Sequence, residues 1–249
     1  HYNSSLITNI VSIAVLLFGI NFNLYYFLLL RKFKAFFKDE ELRTYIGIVV
    51  IATALIWLNV SGLYPSTGKA LENSLFEVAN VMTTTGFGVT DLTVWPLFAQ
   101  VILLFLMFVG GSAGSTAGGI KVMRTLILTK IARNQVLSTL YPHRIMTIHI
   151  NEQPLDKEIQ HGVLKYLTLY VFLLLGLTLM LSLDNNNFMV VVSAATSTFN
   201  NIGPMLGTSQ TFAIFSPFSK LLMSFAMIAG RLEIYPMLLL FIPKTWSKY

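Results

Sequence analysis

The chain is 249 residues long, 55% hydrophobic and only 11% charged, with a mean hydropathy of +0.68. Ordinary soluble domains carry about 25% charged residues, so this much apolar surface does not fit inside a water-soluble domain of this size, and lipid is the expected solvent. The absence of cysteine excludes disulfides, cysteine metal sites and thiol nucleophiles, and the net charge of +6 is spread in blocks between apolar segments rather than forming a nucleic-acid-binding patch.

The sequence opens at His1 rather than at methionine and is read as part of a longer chain, with no visible signal peptide. A spanning helix needs about 20 apolar residues. Residues 6–30 meet this without a charge and stop at Arg31 and Lys32. Residues 44–64 meet it again and stop at Tyr64 and Pro65. Residues 70–82 are an apolar run of about a dozen, the length of a re-entrant half-helix. Residues 96–109 make about 21 Å of helix, short of an apolar core of about 30 Å. They enter GGSAGSTAGG at 110–119 and then a second helical stretch to about Leu140, which predicts one span interrupted in the middle. Residues 162–183 span once more, with a lapse at Lys165. Residues 187–199 are a second short run, capped by Asp184 or by an asparagine of Asn185–Asn187. Residues 214–242 make the last span and carry Lys220, Arg231 and Glu233 inside it.

Charge predicts the orientation. Arg31, Lys32, Lys34, Lys38 and Arg43 form one basic block. Lys121, Arg124, Lys130, Arg133, Arg144, Lys157 and Lys165 form another, and Lys244 and Lys248 mark the C-terminal tail. Stretches 61–95 and 184–213 hold only Lys69 between them. The basic blocks are expected in the cytoplasm and the two long stretches outside, which is self-consistent for five spans and leaves the C-terminus cytoplasmic. The segments divide as 1–43, 44–140, 141–161 and 162–249.

The pattern of span, half-helix, loop and span occurs twice, over 44–109 and 162–230. An offset of 117 aligns Gly86 with Gly203 and sets VANVMTTTGFG over AATSTFNNIGP. The fold class expected is therefore an all-α integral membrane protein of span–pore-loop–span repeats with re-entrant half-helices. Backbone that leaves a helix at membrane depth is tolerated when buried in protein or lining a wet path. Thr83, Thr84, Thr85 and Gly86 in the first loop, and Asn200, Asn201, Ile202 and Gly203 in the second, are candidates to present carbonyl oxygens to an alkali cation. Glycine permits the unusual dihedrals, and the half-helix turns its negative end to the site. The asparagine side chains can instead hold the loop. A glycine turn closing an external hairpin is the alternative for TTTGFG.

The interrupted span contains Gly110, Gly111, Ser112, Ala113, Gly114, Ser115, Thr116, Ala117, Gly118 and Gly119. Five glycines among small residues make a backbone that moves between conformations at low cost. A helix-packing face of small residues is the alternative; a phosphate loop is not matched, since Gly119 is followed by Ile120 before Lys121. Arg231, deep in an apolar span, costs about 2.5–3.5 kcal/mol by insertion scales and is expected to face the bundle interior or a wet cavity. Lys220 either donates to loop carbonyls or snorkels to the headgroups. His143 and His149 have no third metal ligand in sight. Ser66–Lys69 fits SxxK without the companion motifs of a serine acyl enzyme.

TTTGFG, GGSAGSTAGGIKVMR, NNIGP and GRLEI together resemble the Trk/Ktr/HKT superfamily of potassium transport proteins, most closely the bacterial Trk-type membrane subunit. The likeness runs over nearly the whole chain. It implies that the chain holds the last span of a second repeat, with GINFN at Gly19–Asn23, followed by repeats three and four of a four-repeat pore. By resemblance, the two loops are half of a filter for K+ as the transported ion, residues 110–119 are a gate beneath it, Arg231 contacts that gate, and Lys220 braces the filter. The resemblance also implies a homodimer of pore subunits in a bacterial inner membrane, with nucleotide-binding regulatory subunits on the basic face 120–160. That face equally suits lipid headgroups. No cofactor and no nucleic acid are implied.

A membrane-embedded enzyme needs convergent acid–base groups at membrane depth, whereas His1, His143, His149 and His161 lie outside the apolar runs and Asp91 and Asp184 at their external ends. A secondary transporter with broken helices is disfavoured because the two repeats run parallel. Gly86 and Gly203 favour potassium by resemblance, with a sodium-permeable or ion-coupled transporter of the same fold as the alternative.

Overall fold

The computed structural model describes residues 4–141, 147–184, 187–231 and 237. Ten α-helices, three single-turn 3-10 helices and one two-stranded hairpin make up the elements among them. They run as α1 (Ser5–Phe18), α2 (Phe22–Leu29), α3 (Phe33–Lys38), α4 (Glu40–Val60), α5 (Thr67–Met82), α6 (Leu97–Val109), α7 (Val122–Leu140), β1 (His149–Ile150), β2 (Gln153–Pro154), α8 (Lys157–Leu181), α9 (Phe188–Phe199) and α10 (Pro217–Arg231).

Among the described residues, two helical stretches are each long and apolar enough to cross a membrane, Glu40–Leu63 and Lys157–Leu181. Each opens on an acidic first turn; Asp39 caps α4 by accepting from the Leu42 N–H at 2.8 Å. Their outer faces carry large exposed apolar side chains such as Leu58 and Phe172, which suits hydrocarbon and not water.

The run 6–30 is not one straight span. α1 and α2 meet at 92°. Gly19 ends α1, and the Asn21 side chain caps α2 by accepting from the Asn23 N–H. A Cβ on Gly19 would lie 2.7 Å from Thr83 Cγ2 and would also strike the Tyr45 hydroxyl, so the break is the point of closest approach to α4 and α5. Hydropathy had no means of registering it, because Gly19, Ile20 and Asn21 leave the average apolar.

α5 and α9 are the half-helices. Ser66 caps α5 by accepting from the Lys69 N–H at 3.2 Å, so the SxxK spacing serves a helix N-terminus. For α9 the cap is Asn187, which accepts from the N–H groups of Met189 and Val190. Asp184 instead accepts from the Ser216 N–H at 2.8 Å, tying the end of α8 to the start of α10. Both half-helices are enclosed on nearly all sides over their last turns. Val78, Val81 and Met82 sit in one apolar core with α4 and α6, and Val191, Ala194 and Ala195 in a second with α8 and α10. The repeat predicted at offset 117 is thus two similar cores side by side.

The segment read as an interrupted span folds as α6, a loop over 110–121 and α7, with α6 too short to cross a membrane by itself. The hairpin β1–β2 pairs His149 with Pro154 and Ile150 with Gln153. Asn151 accepts from the Glu40 N–H at 2.9 Å and donates to Asp39 at 2.7 Å, while Lys130 pairs with Glu40. The basic side of the molecule is therefore clamped onto the first turn of α4.

Candidate functional site

The two half-helices end in the same way. Thr84 N–H donates to Val81 at 3.2 Å and Thr85 N–H to Asn80 at 3.0 Å; Asn201 N–H donates to Thr198 at 3.2 Å and Ile202 N–H to Ser197 at 2.8 Å. This is a Schellman cap in both repeats, and it needs a left-handed residue after the last helical one. Thr84 (φ +54°) and Asn201 (φ +57°) supply it. Asparagine tolerates that region, but a β-branched threonine there is strained. Strain of this kind persists only where surrounding structure enforces it. Thr84 Oγ1 accepts from the Gly118 N–H at 2.9 Å, which identifies the enforcing contact. Asn201 Nδ2 donates to the Met227 carbonyl at 2.9 Å. Thr84 thus reaches the glycine-rich loop after α6, and Asn201 reaches α10.

Beyond the cap the two strands converge. Gly86 (φ +84°) and Gly203 (φ +113°) lie backbone against backbone: a Cβ on Gly86 would be 2.6 Å from the Ile202 carbonyl oxygen, and one on Gly203 would be 3.2 Å from Gly86 Cα. Thr85, Gly86, Ser197, Ile202, Gly203 and Lys220 line one cavity of about 570 Å³. Lys220 Nζ donates to the Ala213 carbonyl at 3.2 Å, in the turn that follows the second loop rather than in the 200–203 segment.

Side chains from within the half-helices pin these strands. Asn80 accepts from the Phe87 N–H at 2.8 Å and donates back to the Phe87 carbonyl; its counterpart Ser197 accepts from the Gly203 N–H at 3.0 Å. Buried Glu77 accepts from the Thr90 hydroxyl at 2.9 Å, where the second repeat has Ala194 and Gly207. Asn200 is buried and donates to the Met107 carbonyl at 2.8 Å, with the Tyr170 hydroxyl beside it. None of Glu77, Asn80, Tyr170 or Ser197 was singled out in the sequence; for Glu77, Asn80 and Ser197 the usable signal was a polar residue a few positions before the end of a half-helix, and Tyr170 in α8 carried none. Among the exposed acids, hydrogen bonds from Thr93 hold the Asp91 carboxyl below its ordinary range, and those from Ser219 and Ser216 do the same for Asp184. Both therefore carry negative charge at neutral pH.

The glycine-rich loop runs directly under the two strands. A Cβ on Gly118 would collide with the Asn200 carbonyl oxygen, and Gly110, Gly114 and Gly119 have positive φ. The loop is held at several points. Arg231 Nη1 donates to the Thr116 carbonyl at 2.8 Å and Lys121 Nζ to the Ala117 carbonyl, while Ser112 N–H donates to Gly19 at 3.0 Å and Phe22 N–H to Gly114 at 3.3 Å. The predicted loop, Arg231 and both strands thus lie in one constellation. Glu233 and the rest of GRLEI after Arg231 fall outside the described residues, as does His143. His149 contacts the Thr147 carbonyl, and no metal-binding cluster occurs among the described residues.

A family described as TrkH, cation transport protein, matches residues 1–248. The Trk system potassium uptake protein TrkH of Salmonella typhimurium is 32% identical over 254 residues, covering 100% of this chain and 52% of that protein. The Trk system potassium uptake protein TrkG of Escherichia coli is 29% identical over 252 residues, covering 99% and 51%. The crystal structure of the potassium transporter TrkH from Vibrio parahaemolyticus superposes with a TM-score of 0.91 at 30% identity, over 99% of this chain and 54% of that one. The chain spans about half the length of these relatives, all of which are named as transport proteins rather than enzymes. With its family profile matched almost end to end and its fold shared at that TM-score, this chain belongs to the TrkH family of membrane cation transport proteins.

Proposed function

We propose that this chain supplies two of the loops of a potassium-selective pore and the gate beneath them, in a Trk-type uptake system of the bacterial inner membrane. The observation that carries this reading is the meeting of Gly86 and Gly203, backbone to backbone, at the ends of two half-helices that finish in the same cap. Main-chain oxygens of 83–86 and 200–203 then take the place of the ion's hydration shell. The helix ends and the ionised Asp91 and Asp184 favour a cation, K+ being the transported ion. Asn200 and Asn201 spend their side chains on scaffold contacts, which leaves carbonyls as the ligands. Lys220 supports the outer part of the second loop through Ala213.

Residues 110–119 act as the gate, and Arg231 holds them closed while adding positive charge to the cation's path. Pore subunits pair as a homodimer. The basic face 120–160 takes a nucleotide-binding regulatory subunit, and the C-terminus lies on that cytoplasmic side.

The test is tracer flux of potassium against sodium in liposomes containing the assembled transporter. Potassium flux in clear excess over sodium is expected, and absence of cation flux would end the proposal. Arg231→Ala removes a charge-assisted hydrogen bond worth about 1.5–3 kcal/mol and is expected to raise basal potassium flux about tenfold or more. Basal flux equal to that of the parent protein would assign Arg231 to packing alone.

A further inference from the structure

The carboxylate at Glu41 belongs to none of the sequence motifs, yet it is 1% exposed and bonded to two distant parts of the chain. Its Oε1 accepts from the Ala113 N–H at 2.6 Å, at the start of the glycine-rich loop. Its Oε2 accepts from Asn21 Nδ2 at 3.4 Å, at the break between α1 and α2. The first turn of α7, at Met123, adjoins the same carboxylate. α7 has no side-chain cap of its own at Lys121, so an anion lies where a helix N-terminus favours one. One buried carboxylate therefore fastens the entry of the loop to the bent helix pair beside it, next to the N-terminus of the helix at the loop's exit.

We propose that Glu41 is the positioning residue that latches residues 110–119 in the closed conformation. This rests on reading that loop as the gate. Charge-assisted hydrogen bonds in a dry site are the strong kind. The loop also carries a burden for them to offset, since Ser112 Oγ is buried without a hydrogen-bond partner. Glu41 complements Arg231: the carboxylate holds a loop amide at Ala113, and the guanidinium holds a loop carbonyl at Thr116. The same turn of α4 carries Asp39 and Glu40, which bind Asn151 and Lys130 on the basic side.

Glu41→Gln is isosteric and removes the latch selectively. Two donors hold the two oxygens of the carboxylate, and a carboxamide offers one oxygen while setting an NH2 against the other donor. In liposomes containing the assembled transporter, Glu41→Gln is expected to raise basal potassium flux about tenfold, with Glu41→Asp intermediate. The potassium-to-sodium ratio is expected to change by less than about twofold, because the strands themselves are untouched. Glu40→Gln, one residue away, removes the same charge without touching the loop and is expected to leave basal flux within about twofold. Should Glu41→Gln fail to assemble, Asn21→Ala removes one donor to the same carboxylate and is expected to raise basal flux about two- to threefold.

Basal flux unchanged in Glu41→Gln, alongside raised flux in Arg231→Ala, would overturn the latch and leave the gate standing. Equal rises in Glu40→Gln and Glu41→Gln would overturn it as a general charge effect. If shortening the 112–118 segment also leaves flux unchanged, the gate reading itself fails and the latch with it.

Discussion

Replacing Gly86 by serine is expected to lower the potassium-to-sodium flux ratio about tenfold or more. Two costs act together. At φ +84° an L-residue is in left-handed space, which costs about 1–2 kcal/mol. The added Cβ would also fall 2.6 Å from the Ile202 carbonyl oxygen. That atom is main chain, so it has no rotamer through which to retreat, and it is one of the proposed ion ligands. Relief requires one strand to move relative to the other, which alters the spacing of the oxygens that discriminate between cations. Gly203→Ala is the mirror experiment: its Cβ meets Gly86 Cα at 3.2 Å from the other side. Tracer flux with each cation, at matched protein content, measures the ratio. A ratio and conductance equal to those of the parent protein would remove Thr83–Gly86 from the filter.

The half-helices were legible because burial on all sides leaves an apolar run too short to span, and because the left-handed cap selects residues such as Asn201 that tolerate it. The offset of 117 carried further than residue identity suggested: Thr84 pairs with Asn201 and Asn80 with Ser197, unlike side chains doing the same geometric work. What stayed hidden was polar or depended on distant partners. The bend at Gly19 follows from close approach to Thr83 and Tyr45, and neither contact leaves a mark on local hydropathy. Glu41 and Glu77 belong to no motif in the sequence; each is buried where backbone or hydroxyl donors meet its carboxyl. Periodicity reports which face is apolar, but not which polar atom a folded neighbour will satisfy.

Gly118→Ala is expected to produce the largest leak of any single methyl added to the loop, about tenfold or more in basal potassium flux. Gly118 is the residue that touches both strands. Its N–H donates to Thr84 Oγ1 at 2.9 Å, and its Cα packs under the Asn200 carbonyl. A Cβ there meets a main-chain oxygen held in place by the Schellman cap of the second repeat, so the loop must be the part that yields. Yielding also breaks the bond to Thr84 and removes the contact that enforces its strained dihedral. Gly114→Ala provides the contrast. It shares a positive φ, +69°, but its Cβ would meet only the Asn21 side chain, at 3.0 Å and beyond, and no main-chain atom, so a shift of a few tenths of an ångström relieves it. Its leak is therefore expected to be smaller. Single-channel open probability separates the two arms of the argument. A raised open probability at near-normal selectivity places the effect in the loop, whereas lost selectivity at unchanged open probability would mean that the loop supports the strands instead of closing the path below them.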